Sequence, residues 1–262
     1  MRIFDIHVHI YPEKIAPRAL DNITRFYDGM RPSGMGLLSD CVRRMDACGV
    51  ERFAAHSVAV SAHSVDSINR FIMEARAQYP DRVVPFAALH PDVEDLQGTV
   101  DGIIAQGFRG IKIHPDLQNF HVDGDRAAGM FEAIAGRLPV LIHCGDPRYD
   151  FDGPRRILHL RERFPHQPVI CAHFGGWLEW KEVLELLPGH DLMIDTSSSL
   201  YMIPADEAAK AVRRFGVENV FYGSDYPMWI PEHELELFMG MKLTDRERED
   251  ILWNNAARLL QL

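Results

Sequence analysis

The sequence predicts a single (β/α)8 barrel that spans residues 1–262. Short apolar, β-rich runs recur eight times along the chain, and segments with helical periodicity lie between them. Strands that alternate with helices are typical of a parallel sheet, and eight such units predict closure into a barrel. The length of 262 residues is in the range where such barrels form one domain, and no linker rich in proline, glycine or serine divides the chain.

The eight predicted strands are short runs bounded by polar or turn-forming residues. They cover residues 2–9, 51–60, 82–89, 108–114, 139–144, 168–173, 191–197 and 219–225. Helical periodicity marks the segments 39–49, 64–79, 93–107, 126–137 and 205–216.

The longest stretch without a predicted element runs from Tyr11 to Gly36. An irregular stretch of this length in a compact domain is usually functional or disordered. Because it follows the first strand, we expect it to overhang the mouth of the barrel, where the catalytic groups of such folds lie.

The last segment of the chain begins with a capping-box pattern, in which Glu247 follows Thr244 at the third position. Apolar residues then recur at helical spacing, at Ile251, Leu252, Ala256, Leu259 and Leu260. The pattern predicts a closing C-terminal helix that packs on the barrel.

The composition indicates a globular protein with a large core, because 47% of the residues are hydrophobic and 25% are charged. The formal net charge of −10 argues against nucleic acid as a partner, since binding a phosphate backbone requires a surplus of lysine and arginine. An acidic substrate remains compatible, because the local charge in a cleft can oppose the net charge. We therefore expect a small-molecule substrate as the partner, and a homo-oligomer is compatible with the sequence.

The N-terminal segment and the cysteines both bear on the cellular compartment. Asp5, His7 and His9 interrupt the first apolar stretch, which therefore has neither the core of a signal peptide nor the length of a membrane span. We expect a cytoplasmic location without membrane association. The cysteines form no CxxC pair, which predicts reduced thiols buried as small hydrophobic groups at Cys41, Cys48, Cys144 and Cys171.

An HxH pattern lies on the first predicted strand. His7 and His9 are two positions apart, so their side chains leave the same face and can reach one ion. By the same alternation, Ile6, Val8 and Ile10 are expected on the other face, against the helices. The pattern alone is a weak indication of a metal, because polar residues often line barrel interiors.

Three further residues at strand ends strengthen the prediction of a metal site. His143 ends the fifth predicted strand, His173 the sixth and Asp225 the eighth. Active sites of (β/α)8 barrels are built at the C-terminal ends of the strands, where all these residues lie. Other histidines lack a comparable motif and are interpreted as surface or supporting residues: His56, His63, His90 and His121.

The motifs DIHVH, GIKIHP, LIHC, AHFGG and YGSDYP follow one another in the order and spacing of the amidohydrolase superfamily. Over nearly its whole length, the chain resembles the amidohydrolase-related branch of that superfamily. This branch contains aminocarboxymuconate-semialdehyde decarboxylase, related aromatic-acid decarboxylases and many hydrolases. The resemblance implies that one divalent ion is held by His7, His9, His143 and Asp225. It also implies that His173 is an unligated acid/base or electrostatic group.

The chemistry of the donor atoms agrees with that implication. Three imidazoles and a carboxylate suit Zn²⁺ far better than Mg²⁺ or Ca²⁺, and Mn²⁺, Fe²⁺ and Co²⁺ remain open. We therefore expect one divalent ion, with zinc favoured. Such an ion would activate water at neutral pH, and Asp225 would accept the proton of that water.

Lys112 and His114 alternate along the fourth predicted strand and should both point inward. In some amidohydrolases a lysine on this strand is carbamylated and bridges two metals, in which case His143 and His173 would serve the second ion. The resembled branch is usually mononuclear, which favours an unmodified Lys112 that supports the site or pairs with an anionic substrate. A lysine tied to a neighbouring carboxylate is the structural alternative.

The loops at the mouth should choose the substrate. They carry side chains that could pack a planar organic molecule and bind its carboxylate. These are Arg31, Arg148, Tyr149, Trp177, Tyr201 and Trp229.

Three functions are compatible with these residues. A metal-dependent hydrolase of a small carboxylate-bearing lactone, cyclic amide or ester is favoured, because the chain is compact. In it, Asp225, His173 and Lys112 are the expected catalytic residues. A metal-dependent non-oxidative decarboxylase of an aromatic or enoic acid is the alternative and uses nearly the same groups. A catalytically silent barrel kept for binding comes third, since every position needed for chemistry is filled.

Overall fold

A computed structural model describes residues 1–262 and contains eight parallel strands in sequential order. The strands are β1 (Phe4–His9), β2 (Arg52–His56), β3 (Val83–Ala88), β4 (Gly110–Ile113), β5 (Val140–Ile142), β6 (Val169–Cys171), β7 (Met193–Asp195) and β8 (Val220–Phe221). Each lies within one of the eight predicted runs. The segment after β8 closes the barrel on β1, because Asp225 N donates to His7 O at 2.9 Å and Val8 pairs with Tyr226. The predicted single-domain barrel is confirmed in its architecture.

Helices connect the strands and form the outer layer. They are α1 (Ala16–Phe26), α2 (Leu38–Cys48), α3 (Val65–Gln78), α4 (Leu96–Ala105), α5 (Pro115–Gln118), α6 (Asp125–Ile134), α7 (Pro154–Arg163), α8 (Trp180–Leu186), α9 (Ala205–Phe215), α10 (Pro231–Met239), α11 (Asp245–Glu249) and α12 (Asn255–Leu260). None of them combines the length and the apolar character that crossing a bilayer requires. The four cysteines are free thiols, of which three are buried as expected and Cys48 is half-buried.

The interior of the barrel is apolar at its N-terminal end. Side chains from six strands pack on one another there: Phe4, Ile6, Ala54, Val84, Phe86, Leu141, Ile170, Ala172 and Phe221. Trp253, Ala256 and Leu260 from the C-terminal segment pack on this group, and the Trp253 ring meets the Phe4 ring edge to face at 6.3 Å. The C-terminal segment therefore closes this end of the barrel. A separate cluster of 54 buried residues joins the outer faces of the strands to the helices.

A bulge in β1 changes which side chains point inward. The register with β2 shifts between Asp5 and Val8, so that two β1 residues lie opposite one β2 residue. As a result Ile6 packs in the interior apolar group, whereas Val8 and Ile10 belong to the outer core. The expectation that Ile6 would face the helices is wrong, because simple alternation along the strand breaks at the bulge.

The stretch from Tyr11 to Gly36 is not irregular throughout, since α1 occupies its centre. Pro17 lies in the first turn, where its missing N–H would have no intrahelical partner, and Arg25 lies in the last turn. Ala16, near the start of the helix, is buried. The helical spacing of Ala16, Leu20, Ile23 and Phe26 is present in the sequence, so periodicity could have indicated this helix in spite of the polar, proline-containing stretch around it.

The predicted capping box at Thr244 is present. Thr244 Oγ1 accepts from Glu247 N at 3.2 Å, and Glu247 Oε2 accepts from Thr244 N at 2.7 Å. A π-helical turn, Asp250–Asn254, then joins α11 to α12. The closing helix is therefore one continuous helical segment with a wide turn at its centre.

Glu234 in α10 is a fully buried carboxyl group whose oxygens have no hydrogen-bond partner. Burial raises the pKa of Glu234 to about 9, from an ordinary value of 4.5, and nearby Asp225 raises it further. The folded chain therefore keeps this proton up to about pH 9, while the unfolded chain releases it near pH 4.5. It follows that the carboxyl group destabilises the fold progressively as the pH rises from about 4.5 to about 9.

Glu234→Gln should stabilise the protein at pH 8 by about 1–3 kcal/mol, because an amide carries no charge that burial would penalise. The difference from wild type should nearly vanish at pH 5. Urea unfolding at both pH values measures the effect. Glu236→Gln, at an exposed position of the same helix, is the control and should show no such pH dependence. An equal effect of Glu234→Gln at both pH values would contradict the prediction.

Candidate metal centre

Three predicted ligand atoms converge at the C-terminal mouth of the barrel. His7 Nε2 lies 3.2 Å from His9 Nε2 and 3.3 Å from Asp225 Oδ1, and His9 Nε2 lies 3.5 Å from Asp225 Oδ1. Ligands held at about 2.0–2.2 Å from a single divalent ion have separations of this size. The bulge in β1 and the closing segment after β8 together bring these three atoms to one point.

His143 and His173 complete the predicted set. His143 Nδ1 lies 3.0 Å from His173 Nε2, and the His173 ring stacks on the His7 ring at 5.1 Å. Both side chains line the same cavity as Asp225. The structure therefore brings all five predicted residues into one cluster. In this cluster the His173 ring lies between the rings of His7 and His143.

Asp195, at the end of β7, orients this cluster. Its Oδ2 lies 2.8 Å from His7 Nδ1, and its Oδ1 accepts from His173 N at 3.0 Å and from Ser197 Oγ at 2.5 Å. Because a carboxylate only accepts, His7 Nδ1 carries the ring proton and Nε2 offers its lone pair to the cluster. The sequence analysis missed Asp195, although its place at a C-terminal strand end could have indicated it.

His56, which the sequence analysis interpreted as a surface or supporting residue, supports the site. It is the last residue of β2 and the register partner of His9, and its ring meets the His9 ring edge to face at 4.3 Å. The side chain is fully buried, and neither ring nitrogen has a hydrogen-bond partner. His56 is therefore not a surface residue: it packs directly against the predicted ligands.

Lys112 lies in the wall of the cavity with His114, as the alternation along β4 predicts. The Lys112 side chain is 1% exposed, its Nζ has no hydrogen-bond partner, and no carboxylate forms an ion pair with it. Burial lowers the pKa of Lys112 to about 8. In the absence of a bound ion the lysine is thus mostly protonated at neutral pH, and it forms no ion pair, which does not match the alternative of a lysine tied to a carboxylate.

The backbone at two of these positions is strained. His173 and Asp225 adopt left-handed conformations with φ of 61° and 57°. Such conformations are uncommon for residues other than glycine and are concentrated at functional sites. The backbone also packs closely in the loop after His173. A Cβ at position 145 would lie 2.1 Å from the carbonyl oxygen of Gly176, which explains why residue 145 is glycine.

The protonation states suit a cation. Burial lowers the pKa values of His7, His9 and His143 well below the usual value, so these rings are neutral. Burial also raises the pKa of Asp225 to about 7, and a bound cation would lower it again by favouring the charged carboxylate. Neutral imidazoles and a carboxylate are the deprotonated donors that a metal requires, so the residues present fit a divalent ion.

The cluster forms the floor of a cavity of about 690 Å³. Its walls include apolar residues from the barrel rim, α1 and α3, among them Ile15, Ile23, Ile68, Phe71, Leu117 and Met228. This cavity lies under the stretch from Tyr11 to Gly36, which overhangs the mouth as expected. Its size is typical of sites for small organic ligands.

A smaller cavity meets the larger one at His143, His173 and Asp225, and two of the predicted aromatic residues line it. These are Trp177 and Trp229. Trp229 Nε1 donates to Ser198 Oγ at 2.9 Å, and Ser198 Oγ donates to Asp225 Oδ2 at 2.6 Å. The tryptophan loops are therefore connected directly to the predicted metal ligand.

The other predicted substrate-binding residues lie farther out. Tyr201 accepts from Trp177 Nε1 at 3.2 Å and supports that ring, whereas Tyr149 stacks on Phe26 at 5.2 Å. Arg148 is held by Asp146 and Asp28, and the exposed Arg31 lines neither cavity. The structure instead places Arg18 of α1 in the wall of the larger cavity, where it forms no ion pair.

A family model described as amidohydrolase matches residues 4–262 of the chain. No curated protein matches the sequence. Among solved structures, an uncharacterised TIM-barrel protein from Bordetella bronchiseptica is similar with a TM-score of 0.79 and 20% identity. That alignment covers 100% of this chain and 99% of the other.

Two similar structures are decarboxylases solved with manganese. Dihydroxybenzoic acid decarboxylase from Polaromonas sp. JS666, which holds the inhibitor 2-nitroresorcinol, has a TM-score of 0.78 and 17% identity over 100% of this chain and 97% of that one. A 5-carboxyvanillate decarboxylase from Novosphingobium aromaticivorans, complexed with 4-hydroxy-3-methoxy-5-nitrobenzoic acid, has a TM-score of 0.72 and 18% identity over 100% and 96%. At these identities the likeness establishes the fold.

Asp195→Asn should weaken the binding of Mn²⁺ or Zn²⁺ by about 10- to 100-fold, because the His7 ring loses the carboxylate that fixes its orientation and proton. Competition with a chromophoric chelator measures the affinity. The control is Asp191→Asn, at an exposed position two residues before β7, which should bind as wild type does. Unchanged affinity in Asp195→Asn would show that His7 is not a ligand oriented in this way.

Proposed function

The chain belongs to the amidohydrolase family, and we propose that it is a metal-dependent carboxy-lyase that removes CO2 from a small carboxylic acid without an oxidant. A metal-dependent hydrolase of a small carboxylate-bearing lactone, cyclic amide or ester is the second candidate. The two reactions use nearly the same residues and differ in the bond that breaks.

Lys112 is the observation that carries the proposal. A buried ammonium without a hydrogen-bond partner is costly, and an anion in the cavity would compensate its charge. Lys112 lines the cavity together with His173 and Asp225, so an anion paired with it would lie against the predicted metal centre. A carboxy-lyase needs this arrangement, because the carboxylate that it removes is itself the anion.

Chain length no longer favours a hydrolase. The compact sequence was the reason to prefer hydrolysis, yet the chain aligns with 97% of the Polaromonas decarboxylase and 96% of the Novosphingobium one. A barrel of this size is therefore compatible with decarboxylation. The names of these similar proteins support the class of reaction, and both act on hydroxylated aromatic acids by name.

The contacts of Asp225 are compatible with both reactions. Its Oδ2 accepts from Ser198 Oγ, and its Oδ1 faces His7 and His9, which holds the carboxylate in place as a ligand. A hydrolase would require this carboxylate to accept the proton of the attacking water as well, and its oxygens retain lone pairs for that proton.

The residues divide the reaction among them. A divalent cation fits His7, His9 and Asp225, whose ligand atoms converge, and His143 is the fourth ligand that the family resemblance implies. When bound, the cation would supply a Lewis acid that withdraws electron density from the substrate. Lys112 pairs with the substrate's anionic group. The Ser197 hydroxyl lies 2.9 Å from His173 Nδ1 and donates to Asp195, which connects the His173 ring to a carboxylate that compensates positive charge.

The proton and the electron pair are accounted for within the site. The bond between the carboxylate and its carbon breaks, CO2 leaves, and the electron pair stays on the carbon. His173 delivers a proton to that carbon, and solvent restores the proton to the ring afterwards. Burial lowers the pKa of His173 to about 4, and Asp195 opposes this shift. A substrate carboxylate beside the ring would raise the pKa further by favouring the imidazolium form.

The cavity indicates the kind of acid. Its apolar walls, which include Ile68 and Phe71, suit an aromatic or alkenyl body, and its volume of about 690 Å³ exceeds what a single ring fills. The exposed Arg18 also lines the cavity, forms no ion pair and can bind a second acidic group. We assign to this site an acid with an apolar body and a second polar or anionic substituent.

The reaction type is tested by its products. With a panel of aromatic and enoic acids, lactones and cyclic amides in ¹⁸O-labelled water, we expect CO2 release without incorporation of ¹⁸O into the organic product. Mass spectrometry follows both. Incorporation of ¹⁸O without CO2 release would replace the carboxy-lyase by the hydrolase.

Lys112→Met should lower kcat/KM by about 10²-fold or more and leave the bound metal in place, because it removes the charge that holds the reacting anion without touching a predicted ligand. Steady-state kinetics and elemental analysis measure the two effects. Lys181→Met, at an exposed position, is the control. Loss of the metal in Lys112→Met would indicate that the lysine belongs to the metal centre itself, as a carbamylated bridge would.

A further inference from the structure

A second group of buried donor atoms, to which His143 also belongs, lies beyond the ends of β4 and β5. His114, Asp116, His143 and Asp152 each contribute one nitrogen or oxygen, and these atoms all lie within 4.8 Å of one another. All four residues are buried. We propose that Asp116, Asp152 and His143 Nε2 bind a second divalent cation, distinct from the one assigned to His7, His9 and Asp225.

The proposal stands on donor atoms that lack partners. His143 Nε2 has no hydrogen bond, its side chain is 4% exposed, and it lies 3.7 Å from Asp116 Oδ2. Both carboxylate oxygens of Asp116 and one of Asp152 also have no partner, whereas the other Asp152 oxygen accepts from Gly145 N at 3.1 Å. Buried polar atoms are nearly always satisfied, and here burial raises the pKa values of Asp116 and Asp152 because their charged forms lack partners.

No lysine or arginine forms an ion pair with Asp116 or Asp152. Asp146 and Glu179 add further negative charge beside Asp116. The Arg148 guanidinium lowers the pKa of Asp116, but it is already paired with Asp146 and with Asp28. The cluster thus has a surplus of carboxylates facing an unpartnered imidazole nitrogen, which a divalent cation would neutralise and coordinate.

The donors indicate the type of cation. Two carboxylates with an imidazole suit Mn²⁺, Fe²⁺ or Zn²⁺ better than Mg²⁺ or Ca²⁺, which prefer oxygen alone. His114 stands at the edge of the group, because its Nε2 lies 3.1 Å from Tyr27 Oη and its Nδ1 faces Leu117 N. We therefore assign it to supporting the site and not to coordination.

His143 would stand between the two cations. Its Nδ1 faces His173 and the first centre, while its Nε2 faces Asp116. Coordination through both nitrogens requires the ring to release its N–H proton to solvent, so uptake of the second ion is coupled to the first. This arrangement differs from a pair of metals bridged by a carbamylated lysine, because Lys112 takes no part in it.

Crystals grown with Mn²⁺ and measured at the manganese absorption edge locate the ions directly. We expect two anomalous peaks per chain, one among His7, His9 and Asp225 and the other among Asp116, Asp152 and His143. Asp116→Asn and Asp152→Asn should each remove the second peak and keep the first. Titration calorimetry should show a corresponding decrease from about two ions to about one per chain.

Asp150→Asn is the matched control, because Asp150 is exposed, lies two residues from Asp152 and pairs with Arg156 outside the cluster. It should keep both peaks. A single peak at the first centre in the wild-type crystal, with water or a short contact between Asp116 and Asp152, overturns the proposal and assigns a shared proton to this pair. The number of peaks in the wild-type crystal tests the second site even if neither variant folds. Absence of the first peak would instead contradict the metal centre at His7 and His9.

Discussion

The carboxylate of Asp195 is the constraint on which the rest of the mouth depends. It joins three strands, because it contacts His7 of β1, the His173 amide after β6 and the Ser197 hydroxyl beyond its own strand. A buried carboxylate costs free energy unless such donors surround it. Each of these donors is thereby fixed, and the proton on His7 Nδ1 leaves Nε2 directed at His9 and Asp225.

The β1 bulge separates two layers of the barrel interior that have opposite requirements. Below it, Phe4 and Ile6 pack against the plug formed by Trp253, and this apolar layer stabilises the fold through buried area. Above it, His7 and His9 enter a layer of imidazoles and carboxylates that stabilises little by itself. Without the extra residue, one strand could not point both an isoleucine and the next histidine inward.

Short-range sequence patterns predicted the features that depend on residues close together in the chain. The eight strands, the HxH pair and the strand-end residues His143, His173 and Asp225 follow from periodicity and motif. The role of Asp195 follows from a contact with His7 across 188 residues, and the inward turn of Ile6 from pairing with β2, neither of which periodicity reveals. Arg148 was expected at the substrate because arginine suits carboxylates. Arg148 is instead paired with Asp146 and Asp28. Arg18 lines the cavity from α1, a helix that the sequence analysis did not predict.

The unpartnered groups of the mouth connect binding with stability. Lys112, His56 and Asp116 are buried without hydrogen-bond partners, so each lowers the free energy of unfolding by a part of its desolvation cost. Ions or substrates that bind only the folded chain increase the free energy of unfolding. The increase grows with the logarithm of the ratio of ligand concentration to Kd. A fold with a large outer core of 54 residues can hold such groups in place before the ligand arrives. This preorganisation is what a site needs if its donors are to meet a ligand without rearranging.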